Sequence, residues 1–315
     1  MIVSITHEHD LDGLGSQAVI LRSLKMHDKN EDIKLAFAHY NNFVEKIKNI
    51  LISDNLPSQL IISDIGFNEE FNQLFPIFES VKNKDCKIFW FDHHLVGQEV
   101  KRNLKNLIHI YINDKTKCAT EVVKDYYLPN DHIAFKIAEF ARDTDFRTDK
   151  SKLASNLQLI IGFNRGEENN DNKIKIVELL SKGEFEHPWL KEQLKILQKW
   201  FKKESKFAIK HARIIRVNNF GDIVISYAKL GGGKITLLLN EEFPNRKAYL
   251  GIDTRYNEII IHSDYVKCRD FAREFKGGGH RFRAGFKYPK IFKSNDILSE
   301  EFIQDIEKAL IKYLK

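Results

Sequence analysis

Along its N-terminal half the chain alternates short apolar runs with longer stretches whose apolar positions recur at helical spacing. Met1 to Thr6, Lys34 to Tyr40, Gln59 to Ile65 and Cys86 to Asp92 are rich in β-branched and aromatic residues and read as strands. Gly13 to Met26 and Glu69 to Val81 read as helices between them. Such alternation predicts an α/β domain, a mostly parallel sheet flanked by helices, with functional groups gathered beyond the carboxyl ends of the strands. From Trp189 to about His211 the pattern becomes one long amphipathic helix, striped by Leu190, Leu194, Leu197 and Phe201. Lys191, Lys195, Lys199, Lys202, Lys203, Lys206 and Lys210 fill much of its remainder. They read as the solvated face of a helix joining two domains, with a phosphate-steering surface as the sharper alternative.

Beyond that helix, Ala212 to Asn218, Asp222 to Leu230, Lys234 to Leu239, Ala248 to Thr254 and Glu258 to Ser263 are strand candidates. Ser299 to Lys315 reads as a closing helix: Ser299 stands at the N-cap, Glu300 and Glu301 in the first turn, and Phe302, Ile306 and Leu310 make a stripe. The expected layout is therefore an α/β domain over residues 1–185, a linker helix over 186–207, and a smaller α+β domain with a mixed sheet over 208–315. Asn164 to Asn172 is a polar loop without readable chemistry, and no internal repeat is visible.

Composition narrows the class. A chain of 315 residues with 43% hydrophobic residues, 6 Pro and 16 Gly reads as globular rather than disordered. No apolar run approaches the ~20 residues that span a bilayer, and the N-terminus lacks a secretory pattern, so a cytoplasmic protein without membrane partners is expected. Cys86, Cys118 and Cys268 are odd in number and far apart, which argues against a disulfide framework or a zinc knuckle. A net charge of +6 is compatible with a polyanionic partner but does not predict one.

The candidate chemistry sits at the expected strand ends. The first strand runs into His7, Glu8, His9, Asp10, Leu11, Asp12 and Gly13. Asp10 and Asp12 point the same way in an extended or turning segment, and carboxylates so close repel unless a cation neutralises them. A solvated helix cap is the bland alternative. The third strand ends in Asp64, and the fourth breaks from Ile88 to Phe91 into Asp92, His93 and His94. Imidazole and carboxylate together suit zinc, manganese or iron. A helix candidate ends in Arg142, Asp143, Thr144 and Asp145. In the second domain Gly277, Gly278, Gly279 and His280 could bring backbone amides close to an anion, with Arg281 and Arg283 adjacent. Gly231, Gly232 and Gly233 read as a hairpin turn.

Taken in order, HxxDxD, a strand-end Asp, DHH, a later Asp and GGGH resemble the DHH phosphoesterase superfamily over nearly the whole chain. The layout is similar to short-oligonucleotide ribonucleases (nano-RNases) with a DHH-associated C-terminal domain. The resemblance implies two divalent ions, usually manganese, with magnesium or cobalt as alternatives. It places His7, Asp10 and Asp64 on one ion, and Asp12, Asp64, His93 and Asp143 on the other. His94 would contact the phosphate or leaving group, with Asp92 orienting its neighbours. Asp64, Asp92, His93 and His94 thus make the catalytic set, and Gly277 to His280 would grip substrate.

The chain departs from the pattern at three places. His9 stands beside Asp10, so His7 and His9 both remain open as ligands. Arg281 and Arg283 follow the glycines. Where relatives carry a serine–arginine element the chain reads Ile261, His262, Ser263 and Asp264, with Arg255 the candidate substitute. The expected activity is hydrolysis of short oligonucleotides to mononucleotides. Alternatives are a RecJ-like single-strand exonuclease, a cyclic-dinucleotide phosphodiesterase, a family II inorganic pyrophosphatase, and a nucleotide-binding scaffold with an inactive site. A homodimer, RNA or DNA preference and domain closure over substrate are left open.

Overall fold

Ile2, Val3 and Ile5 are almost fully buried, because their strand has neighbours on both edges and side chains packed on both faces. In the computed structural model residues 1–27, 32–52, 55–294 and 297–314 are described. They divide into two units, Met1–Lys195 and Ile196–Lys315. Lys315, the last residue of the expected closing helix, lies outside the described residues.

The first unit is built on a parallel sheet in the order β2-β1-β3-β4-β5. Its strands are β1 (Ile2–His7), β2 (Ile33–Ala38), β3 (Gln59–Ser63), β4 (Lys87–Asp92) and β5 (Ile110–Asn113). The four expected strands are present, and β5 adds a fifth that is too short at 4 residues to stand out in the apolar pattern. Successive residues divide between the two faces: Ile61 and Phe91 join one core, Ile62 and Trp90 the other. The helices around the sheet are α1 (Leu11–Met26), α2 (Tyr40–Leu51), α3 (Phe75–Val81), α4 (Gln98–Leu107), α5 (Ala119–Tyr127), α6 (His132–Asp145), α7 (Lys152–Phe163) and α8 (Asn170–Lys182). α1 packs among β1, α5, α6 and α8 and is buried along most of its length, its polar Asp12, Ser16 and Gln17 included. The expected helix over Glu69 to Val81 is a 3-10 segment, Glu69–Leu74, running into α3.

α9 (Pro188–Lys210) carries its exposed lysines where the stripe predicts. The second unit has a mixed sheet, β10-β11-β9-β8-β7-β6. Its elements are β6 (Arg213–Val217), β7 (Gly221–Ala228), α10 (Gly232–Glu242), β8 (Ala248–Asp253), β9 (Glu258–His262), α11 (Cys268–Glu274), β10 (Gly278–Gly279) and β11 (Arg283–Lys287). A hairpin of β12 (Phe292–Ser294) and β13 (Ile297–Leu298) precedes α12 (Glu300–Lys312). Two expectations fail here for one reason. Lys234 to Leu239 is helix rather than strand, and Gly231 to Gly233 opens that helix instead of turning a hairpin. β7 and β8 are parallel neighbours, and parallel strands need a crossover, which α10 supplies. No helix among the described residues is long and apolar enough to cross a membrane.

Candidate metal centre

The sheet order puts the carboxyl ends of β1, β3 and β4 side by side, with Thr6 opposite Ser63 and Ser63 opposite Phe91. The next residues, His7, Asp64 and Asp92, therefore converge, and the turn into α1 adds Asp10 and Asp12. Asp10 caps α1: one carboxylate oxygen accepts the Gly13 amide at 3.1 Å, and the other lies 3.0 Å from His7 Nδ1. Glycine is required at position 13, because a Cβ there would stand 2.0 Å from the His7 carbonyl oxygen. Asp12 is buried and accepts the Ala119 and Thr120 amides, each at 2.7 Å, at the start of α5.

Asp64 has φ 55°, a left-handed conformation that costs a non-glycine residue about 1–3 kcal/mol and persists where its surroundings enforce it. Its side chain is 3% exposed; Oδ1 lies 3.4 Å from His93 Nε2 and Oδ2 lies 3.7 Å from His7 Nδ1. That Oδ2 is buried without a hydrogen-bond partner. Ligand atoms gather within 4.8 Å in three groups: His7, Asp10 and Asp64; Asp12, His93 and Asp145; and Asp64, His93 and His94.

Burial, and then the charges of Asp10 and Asp12, push Asp64 well above the ordinary carboxylate range. Burial likewise raises Asp12, with Asp10 adding to it. His7 is lowered by burial, yet Asp10 and Asp64 carry it up to about 10. The cluster thus holds excess negative charge that only protons or cations can relieve. An orphaned buried carboxylate oxygen within a nitrogen and oxygen donor set is what a divalent cation fits.

The structure places Asp143 outside the three groups. Both Asp143 carboxylate oxygens are taken up by the turn after α6: one accepts the Thr148 hydroxyl and the Lys150 amide, the other the Ser151 amide at 2.8 Å. Asp145 instead faces the cluster, with Oδ2 3.7 Å from His93 Nδ1. Residues two apart on a helix point to different sides, so only the phase of α6 decides between these acids. His9 also lies outside the three groups. Its ring stacks on His39 at 5.9 Å, and burial, Arg165 and His7 lower it to about 4.

Asp92 is buried beneath His94, with Oδ1 2.8 Å from His94 Nδ1, and Asn113 donates to the other oxygen at 3.3 Å. This contact, against the lowering effect of burial, raises the His94 pKa. Glu8, between the two histidines, is buried against fully buried Lys173, whose ammonium also bonds the Gly166 carbonyl at 2.9 Å. Arg165 donates to the His9 carbonyl at 3.2 Å. The polar stretch from Asn164 thus supports the segment bearing His7 and Asp10, a role without a local signature in sequence.

Residues 1–144 match the model of the DHH family, N-terminal domain. This stretch, which holds every residue of the cluster except Asp145, is thus similar to that domain. No curated protein matches the chain by sequence. Among solved structures, one of exonuclease RecJ bound to manganese is similar over 99% of this chain and 90% of that chain, at 13% identity and TM-score 0.56. A pGpG-specific phosphodiesterase, PggH, from Vibrio cholerae matches over 99% and 98%, at 13% identity and TM-score 0.54. A DHH domain from a member of the S1p family of ribosomal proteins matches over 99% and 85%, at 13% identity and TM-score 0.60. At such identities the likeness is one of fold.

In the second unit, the glycine run is a strand rather than an anion nest. Gly278 and Gly279 pair with Gly285 and Ala284, and a Cβ at Gly277 or Gly279 would collide with that partner strand. Beside it lies an open groove of about 880 Å³ bordered by Tyr256, Lys276, Gly277, Gly278, Lys287 and Tyr288. His280 closes the hairpin through its amide to the Arg283 carbonyl at 2.8 Å, and the Arg281 guanidinium lies 5.3 Å from the Phe282 ring. The Arg283 guanidinium packs against Gly233 at the start of α10, bringing the two glycine runs together. Arg255, the candidate substitute for the arginine of the serine–arginine element, contacts Asp253 at 2.9 and 2.7 Å.

Proposed function

We propose that this chain is a divalent-metal-dependent phosphodiesterase or exonuclease that cleaves short oligonucleotides to mononucleotides. The observation that carries the reading is Asp64: buried, left-handed, with one oxygen facing His93 and the other, facing His7, without a hydrogen-bond partner. A structural aspartate would find a hydrogen-bond donor. His7, Asp10 and Asp64 would hold one ion, and Asp12, Asp64, His93 and Asp145 the other, manganese being the expected metal. Bound there, the pair would offset the charge of a phosphodiester and acidify water for in-line attack.

The chain's own groups do the rest. Asp92 fixes the His94 ring through Nδ1 and raises its pKa, so that Nε2 would face a phosphate or leaving-group oxygen. Gly277 to Gly279, His280, Arg281 and Arg283 remain the candidate substrate contacts of the second unit, with Lys276 and Lys287 beside the groove. The fold neighbours include an exonuclease and a pGpG-specific phosphodiesterase, both acting on nucleotide phosphodiesters. This favours nucleotide substrates over pyrophosphate, and a filled donor set argues against an inactive scaffold.

A manganese-supplemented assay on labelled RNA and DNA from two to about twenty-four nucleotides, with cyclic dinucleotides and pyrophosphate alongside, tests the reading. Preference for the shortest linear substrates, abolished by Asp64→Ala and His93→Ala, is the expected result. Equal turnover of long strands would assign the chain to the RecJ-like alternative, and phosphate release from pyrophosphate would overturn the substrate class.

A further inference from the structure

The turn that presents Asp64 is held from several directions. The Asp64 amide donates to the Phe91 carbonyl at 3.0 Å, and Trp90 Nε1 donates to the Ile65 carbonyl at 3.0 Å. These contacts come from β4 alone. From the other side, the Gly66 amide donates to the Tyr40 hydroxyl at 3.3 Å. Gly66 has no room for a side chain, because a Cβ there would stand 2.6 Å from His94 Cβ and 2.7 Å from His94 Cγ. His94 therefore rests directly on the residue that Tyr40 holds. The Tyr40 ring is fixed in turn, stacked on Phe71 at 6.1 Å and tilted against His7 at 5.9 Å.

We propose that Tyr40 is a positioning residue of the metal centre: its hydroxyl braces the Asp64–Gly66 turn, setting the Asp64 carboxylate and the seat of His94. The inference rests on the proposed metal-dependent reading but makes a separate claim about this turn. A left-handed aspartate relaxes toward ordinary backbone unless its neighbours oppose it, and α2 supplies the brace that β4 does not. No sequence motif marks Tyr40, since it neither ligates nor lies near the DHH run.

Tyr40→Phe removes the hydroxyl and leaves the ring on Phe71. Its manganese affinity, measured by titration calorimetry, is expected to fall about tenfold, the usual scale for a residue supporting a ligand. Hydrogen exchange of the peptide containing Asp64–Gly66 is expected to quicken, and dinucleotide turnover to lose kcat with KM little changed. A lower melting temperature with wild-type affinity and wild-type exchange would make Tyr40 a packing residue and overturn the proposal. If the wild-type chain takes up no manganese, the metal reading fails. Exchange at Asp64–Gly66 then decides alone: faster in Tyr40→Phe sustains the brace, unchanged removes it.

Discussion

Asparagine tolerates left-handed backbone better than most residues and matches aspartate in shape, so Asp64→Asn isolates the effect of charge. The wild-type carboxylate opposes Asp10 and Asp12 in a buried cluster. In metal-free buffer the variant should melt above the wild type by roughly 1 kcal/mol, a few degrees for a domain of this size. Manganese should then add nothing to it. Fluorimetric melts in chelator and in manganese read both effects, and a lower metal-free melt would contradict like-charge strain. The two acids ending α6 make a complementary pair. Asp145→Asn should weaken manganese binding while leaving the metal-free melt nearly unchanged. Asp143→Ala should instead cost about 1–3 kcal/mol, because it strands the donors of the following turn, and should keep manganese affinity. Reversed results in calorimetric titrations would return Asp143 to the centre. Sequence shows both acids and cannot choose, because a displacement of two residues on a helix is invisible without the helix phase.

α6 also shows where an element draws stability. Asp131 caps it by accepting the Ala134 amide at 2.7 Å, and the same carboxylate receives Arg22 from α1 at 2.7 and 2.8 Å. The guanidinium bond, against burial and helped by the cap amide, holds Asp131 below the ordinary carboxylate range. The unfolded chain therefore takes up a proton at this group, near pH ~3.9, before the folded chain does. The stability it lends is complete above that pH and is lost as pH falls through the lower folded value. Asp131→Ala should cost about 2 kcal/mol near neutrality through the lost cap and partner, and should flatten the acid limb. Urea melts from pH ~3 to pH ~6 test the sign. Lys234 to Leu239 contains enough β-branched and apolar residues to pass for a strand, and local propensity cannot see that β7 and β8 run parallel.

For the whole molecule, a cation gathered by β1, β3, β4 and α6 should stabilise the native state by mass action, about 2.7 kcal/mol at a hundredfold excess over its dissociation constant. Hydrogen exchange with and without manganese should show protection concentrated on the strand ends at His7, Asp64 and Asp92 to His94, with β6–β11 of the second unit little affected. Protection spread evenly over both units would mean that binding is not local to this centre. The apolar runs and the spacing of HxxDxD, Asp64 and DHH determined from sequence alone the parallel sheet and most of the residues that cluster at its strand ends. They could, because a strand buried on both faces must be continuously apolar and a metal site must concentrate ligands where such strands end. Sequence could not determine that Asp145 and not Asp143 lies beside His93, the turning of His9 toward His39, the contacts of Tyr40 with Gly66 and of Lys173 with Glu8, or the pairing of the GGGH run as a strand. Those depend on helix phase and on contacts between residues far apart in the chain, and only tertiary structure sets them.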